Sequence, residues 1–158
     1  MRWRNSLRLV LLLAVLGISQ ACASVPMAPP EQDAASKEFN VPTGNNASLY
    51  VYRNTFGGQA LKKSVFLDGN LIGETANKVY FHCIIPAGVH TLATESEFGN
   101  NSLEFTADPA KLYFFQQYIK FGVFVGGANL RAVNEEEGRR QVLKCNEALQ
   151  ASVPLPEP

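Results

Sequence analysis

Ser64-Val65-Phe66-Leu67-Asp68-Gly69-Asn70-Leu71-Ile72-Gly73-Glu74-Thr75 decides the fold class. Two short runs of β-prone residues flank Asp68-Gly69, a pair that tolerates the positive φ of a tight hairpin turn. The next run, Lys78 to Ile85, alternates. Val79, Phe81, Cys83 and Ile85 share one face of a strand, while Tyr80, His82 and Ile84 share the other. Large apolar groups on both faces predict a central strand. Pro86-Ala87-Gly88 then turns the chain into Val89 to Thr94, which predicts a second hairpin with His82 and His90 on either side of its turn.

The same signals recur on both sides of this block. Leu49-Tyr50-Val51-Tyr52-Arg53 reads as the first strand, and Phe98-Gly99-Asn100-Asn101 as a turn before Leu103 to Thr106. Lys111 to Phe121 carries Tyr113, Phe114, Phe115, Tyr118 and Phe121, an aromatic density that suits a pleated, half-buried surface. Gly122, Gly126 and Gly127 loosen the chain before Leu130 to Val133. Short strands at this spacing predict an all-β fold, an antiparallel β-sandwich of about seven or eight strands. One C-terminal helix is expected. Asn134-Glu135-Glu136-Glu137 is a capped start with carboxylates at the positive end of the dipole, and Val142, Cys145 and Leu149 recur at helical spacing. The sandwich domain is assigned to 46–150, and 151–158, with Pro154, Pro156 and Pro158, to a disordered tail.

The amino end has a different logic. Arg2, Arg4 and Arg8 precede an apolar run from Leu9 through Ile18, and no acidic residue occurs before Glu31. An apolar run of roughly 10 residues is half of the ~20 that a membrane-spanning helix needs, so 1–21 reads as a removable export signal. Ile18-Ser19-Gln20-Ala21-Cys22 resembles the end of a bacterial lipoprotein signal peptide. The resemblance implies that Cys22 is acylated, with palmitate-type chains, and becomes the first mature residue. Ser19 and Gln20 depart from that pattern, and Ser19-x-Ala21 and Ala21-x-Ala23 also fit ordinary signal peptidase, whose product would be a soluble periplasmic protein. Ala23, where enteric lipoproteins use Asp for inner-membrane retention, implies the periplasmic face of the outer membrane. Pro- and Ala-rich 22–45 is expected to act as a semi-extended, flexible linker.

Removing Arg2, Arg4 and Arg8 from the 14 basic residues, against 14 acidic, leaves the mature chain at −3. That mild acidity gives no footprint for nucleic acid. Cys83 and Cys145 form an even pair in an oxidising compartment, and a helix packed on the sheet could join them in a disulfide; the alternative is two buried free thiols. His82 and His90, without a Cys or carboxylate cluster, make a poor metal site, and no cofactor is expected. A Ser-His-Asp arrangement would need Ser64, Ser96 or Ser102 beside a histidine, and no Gly-x-Ser-x-Gly pattern occurs. Gly57-Gly58 and Gly126-Gly127 read as loop residues, not phosphate cradles. Tyr113 to Phe121 is the candidate partner surface if any ring points outward, with core packing the alternative.

The ordered series Leu49-Tyr50-Val51-Tyr52-Arg53-Asn54, Phe66-Leu67-Asp68-Gly69, Gly73-Glu74, Tyr80-Phe81, Pro86-Ala87-Gly88-Val89-His90-Thr91, Tyr113-Phe114 and Val133 to Gly138 resembles the bacterial lipoprotein family known as the domain of unknown function numbered 2846. The resemblance covers roughly Asn46 to Cys145. It implies a periplasm-facing sandwich similar to PEGA-type and transthyretin-like domains, and it brings no catalytic residues. The expected role is a non-catalytic envelope interaction module, held at the membrane by its lipid anchor, that docks a protein or envelope polymer through loops or a strand edge. The alternatives are a binder of small hydrophobic ligands and, behind it, an enzyme.

Overall fold

The computed structural model describes residues 24–122 and 126–151. The expected signal 1–21, Cys22 and residues 152–158 of the expected tail lie outside the described residues. In chain order the elements are α1 (Pro30–Ser36), β1 (Asn46–Arg53), β2 (Lys63–Leu67), β3 (Asn70–Thr75), β4 (Val79–Pro86), β5 (Gly88–Ser96), β6 (Gly99–Ala107), β7 (Leu112–Lys120), β8 (Gly127–Val133), α2 (Glu135–Val142) and β9 (Asn146–Glu147). Two sheets face each other, one in the order β8-β7-β1-β4-β9 and one in the order β3-β2-β5-β6. The fold is the all-β sandwich with a C-terminal helix that the strand spacing predicts.

Alternation along β1 and β4 builds both cores. Leu49, Val51, Phe81, Cys83 and Ile85 point between the sheets, where they join Val65, Leu67 and Leu92. Tyr50, Tyr52 and Tyr80 point the other way and are covered by Phe39, Phe114, Val142 and Cys145. The middle strand is β1; β4 lies between β1 and the two-residue β9, which pairs only with Val79 and Tyr80. Asp68 (φ 50°) and Gly69 (φ 80°) are the two left-handed residues of the β2–β3 hairpin, the geometry for which Asp-Gly is suited.

Five expectations are corrected. Pro86-Ala87-Gly88 does not close a hairpin: β4 belongs to the five-stranded sheet and β5 to the four-stranded one, so this turn carries the chain across the core. Turn residues specify that the chain reverses, not which sheet the next strand joins. The pairing is also not wholly antiparallel, because β1 runs parallel to β7 and β4 parallel to β9.

The described part of 22–45 is not a flexible linker. Val25 is buried in the inter-sheet core, Met27 bridges to Ala148, and Phe39 packs on Tyr50 at 5.4 Å between ring centroids and on Phe114 at 6.0 Å. Pro30 permits α1 because it occupies the helix's first turn, where its missing N–H has no partner to lose. At the other end, α2 stops at Val142. Asn134 caps it as expected, accepting from Glu137 N at 2.8 Å, but the chain beyond Cys145 extends into β9 and leaves Leu149 partly exposed.

Cys83 and Cys145 are both buried and free, on opposite faces of the five-stranded sheet. The helix that carries the chain to Cys145 covers the outer face, whereas Cys83 points inward, so the expected disulfide does not form. Burial, with the Glu147 carboxylate adding to it, pushes the Cys83 thiol up to about 12, and burial pushes Cys145 up to about 12. Both thiols are expected to resist alkylation in the native chain and to react once it unfolds, with no mass change on reduction. A gain of two hydrogens on reduction would refute this assignment.

Candidate functional site

One end of the sandwich gathers three loops: 54–62 between β1 and β2, the Glu97-Phe98 turn between β5 and β6, and the connection that leaves β7 at Phe121. Gly58 abuts Ile119, Gly126 abuts Leu61 and Gly127 abuts Ser96, which draws the three together. Each presents a phenylalanine to solvent. Phe56 is 98% exposed, Phe98 80% and Phe121 104%. They are the three most exposed large apolar side chains among the described residues, and they lie on three separate loops of one end. Ser96, Phe98, Lys120, Phe121 and Gly127 also line a recess of about 190 Å³ there.

Beneath the loops lies a polar layer, which holds the first of them, 54–62. Arg53, at the end of apolar β1, is fully buried. Its Nη1 donates to Leu61 O at 2.7 Å and to Thr75 O at 3.3 Å, its Nη2 donates to Gly58 O, and its Nε has no partner among the described residues. Burial pushes this guanidinium down to about 10, which leaves it charged at neutral pH. The planar fork thus clasps loop 54–62 from inside. Thr55 N donates to Asn77 Oδ1 at 3.0 Å, and Asn54 Nδ2 donates to Gln141 Oε1 at 2.7 Å, so the strand exit is pinned from outside as well.

Buried Gln117 ties the two sheets together at the same level. Its Nε2 donates to Thr94 Oγ1 at 2.7 Å and its Oε1 accepts from Thr75 Oγ1, while Thr94 Oγ1 donates to Ser64 O at 2.8 Å. At the margin, Lys63 Nζ and Ser64 Oγ donate to Glu95 at 3.0 and 2.9 Å. Burial opposes the Glu95 charge, but these two donors outweigh it and hold the carboxyl below its ordinary value. Satisfied networks of this kind rigidify what they touch.

The histidines sit elsewhere and apart. His82, on the outer face of β4, stacks on Tyr50 at 4.4 Å with 7° between the rings, and its nitrogens face Ser36 Oγ at 3.0 Å and Ser48 Oγ at 3.4 Å. His90 lies in the other sheet, with Nδ1 2.7 Å from Asp68 Oδ2 and Nε2 2.8 Å from Pro86 O. They therefore do not face each other across a hairpin. The serines beside His82 are not those anticipated, and Ser64 serves Glu95 instead. Sequence reasoning missed the Arg53 clasp and the Phe56 and Phe98 tips; Gly57-Gly58 beside Phe56 was the available signal. Of the aromatic run in β7, Phe114 and Phe115 are core, and Phe121, just beyond, supplies the outward ring.

His82 makes the stability pH-dependent. Burial pushes its imidazole down to about 4 from 6.5. Between those values the unfolded chain binds more protons than the native one, so stability falls as pH drops from about 6.5 towards 4. The loss is expected to be about 2 kcal/mol, given the ring's partial exposure. Denaturant titrations of wild type and His82→Gln at pH 7 and pH 4.5 check it. An equal pH dependence in both proteins would place the sensitivity elsewhere.

Taken together these features define a class: a mixed-pairing β-sandwich with one face covered by helices and an aromatic, three-loop end. The family model described as a protein of unknown function (DUF2846) matches residues 43–128, more than half of the chain, and the chain belongs to that family. The match spans β1 to β7 and enters β8; Val133 to Gly138 lies beyond it. An uncharacterized protein of Haemophilus influenzae is 47% identical over 139 residues, which cover 86% of this chain and 83% of that protein. No solved structure matches the chain.

Proposed function

We propose that this family member is an exported lipoprotein, acylated at Cys22 on the periplasmic face of the outer membrane, whose sandwich docks an envelope protein through Phe56, Phe98 and Phe121. The observation that carries the docking is the gathering of three solvent-exposed rings on loops at one end of the sandwich, with the loop of Phe56 held from inside by Arg53. Aromatic side chains contribute large contact area at small entropic cost, and they dominate protein interfaces when each finds a pocket on the partner. The anchor is supported by the signal-like 1–21 and by the position of Cys22 at its end.

The reading takes the module as non-catalytic. His82 has only hydroxyls as side-chain hydrogen-bond partners at its ring, and both nitrogens of His90 are engaged with oxygens, which supports that choice over hydrolysis. Docking is preferred to small-ligand binding because, among the described residues, the recesses at the phenylalanine end, beside Glu147 and beside Cys83 hold about 190, 230 and 20 Å³. Ligand pockets typically start at roughly 300 Å³.

A photo-crosslinking residue in place of Phe98, in living cells, is expected to capture one discrete protein. Phe56→Ser combined with Phe121→Ser should reduce that capture about tenfold or more while shifting stability by less than about 1 kcal/mol, because exposed positions contribute little to folding. Undiminished capture in the double variant would exclude this surface.

A further inference from the structure

We infer that the opposite end of the sandwich, around Pro86, seats on the lipid surface that holds the acylated Cys22, so that the anchor clamps the domain instead of tethering it. The inference rests on the acylation proposed above and adds an orientation and a second membrane contact.

Only Ala23 and Ser24 separate Cys22 from Val25, which is already in the inter-sheet core. Three residues reach at most about 11 Å even when fully extended. Where the chain enters the fold is fixed by hydrogen bonds. Ala28 N donates to Glu147 O at 2.9 Å and Leu149 N to Pro26 O at 3.0 Å, around the antiparallel bridge between Met27 and Ala148. β9 itself is in register with β4, Glu147 opposite Tyr80. Followed backwards from Ala28 to Ser24, the chain therefore runs along β4 towards Ile84 and Pro86. It points away from Val79, which pairs with Arg53 at the phenylalanine end.

At that end aliphatic side chains reach solvent among polar neighbours such as Asp68, Asn70 and Gln150. Ile84 is 45% exposed and Val89, just past the crossover, 64%. Leu71 is also exposed, and Ala151 N, bonded to Ile72 O at 2.6 Å, places the end of the described chain beside it. Ile84, on the outer face of the five-stranded sheet, and Val89, on the outer face of the other, flank the end where the chain leaves for its acylated residue, within reach of the interfacial layer into which the acyl chains insert. Through the β1–β4 and β1–β7 registers, Phe121 lies about nine residues of strand rise from Ile84, or about 30 Å. A domain seated on its Pro86 end thus turns Phe56, Phe98 and Phe121 away from the membrane that anchors it, towards the aqueous side where a partner would be met.

The test uses the acylated chain in vesicles of phosphatidylethanolamine and phosphatidylglycerol with brominated acyl chains. Trp3 is the single tryptophan of the sequence and lies in the expected signal, so a mature chain carries only the tryptophan introduced into it. Val89→Trp is expected to be quenched by brominated lipid roughly threefold or more beyond Phe98→Trp, because interfacial burial reaches about 5–10 Å into the bilayer. Equal quenching of the two, quenching of neither, or stronger quenching of Phe98→Trp overturns the seat. Intact mass of the same samples separates the two layers of the argument. Acyl mass present with Val89→Trp unquenched leaves the anchor standing and removes the clamp; acyl mass absent from chain produced by its native host removes both.

Discussion

Arg53→Ala is expected to destabilise the chain by about 4 kcal/mol, on the order of 15 °C in Tm. The side chain is the largest of the fully buried ones, and its donors are the partners of Leu61, Thr75 and Gly58 carbonyls. Truncation removes that volume and the donors to Leu61 O and Thr75 O, while Gly58 O keeps Leu61 N as a donor at 3.0 Å, and a buried polar group left without a partner costs about 1–3 kcal/mol. Arg53→Met separates the two effects, because it restores most of the volume and none of the donors. Arg53→Lys should recover only part of the loss, since an ammonium lacks the planar fork that reaches two directions at once. In all three variants loop 54–62 loses its inner clasp, so capture by a crosslinker at Phe56 should weaken even at temperatures where the domain stays folded. Urea denaturation combined with that crosslinking decides between a stability role alone and a role in presenting Phe56. Retention of full capture in a folded Arg53→Met chain would limit Arg53 to stability.

Gly138→Ala should also destabilise, by about 3 kcal/mol, although alanine in place of glycine within a helix ordinarily stabilises by roughly 1 kcal/mol. A Cβ at Gly138 would lie 2.2 Å from Phe114 Cγ and 2.4 Å from its Cβ. Phe114 cannot give way readily, because its ring stacks on Tyr50 at 4.9 Å and 12° in a buried cluster. Helix α2 would have to lift off β7 instead. Gly138→Val should exceed the alanine effect, and the order wild type, Ala, Val in urea midpoint at constant m-value is the check. An alanine variant more stable than wild type would mean that α2 does not touch the sheet at Gly138.

How far the residues foretold this depends on the range of the interactions involved. The β2–β3 hairpin was legible because Asp68-Gly69 dictates its own φ, and β4 because period-two alternation displays both cores locally. The start of α2 was legible because Asn134 and Glu137 lie three residues apart in the chain. The crossover at Pro86 to Gly88 and the parallel neighbours of β1 and β4 were not, since they depend on contacts tens of residues away. Prolines around Pro30 disguised α1, whose place is secured by Phe39 on the distant Phe114 and by Tyr50 donating to Ser36 O at 2.8 Å. At the candidate site, Arg53 read as the charged end of a strand, because nothing local says that carbonyls from a later loop will fold over it. Cys83 and Cys145 are both buried, but strand alternation turns Cys83 between the sheets while Cys145 follows α2 on the outer face, and only the tertiary packing shows that this separates them.

The central claim is that the mature protein is exported and held by lipid on Cys22, and the mass of its amino-terminal peptide, taken from protein isolated with the membranes of its host, tests it most directly. The expected result is a peptide that begins at Cys22 and carries the added mass of the acylated glyceryl group. A peptide that begins with Met1 in the cytosolic fraction, or an unmodified Cys22 on a soluble protein, would contradict it.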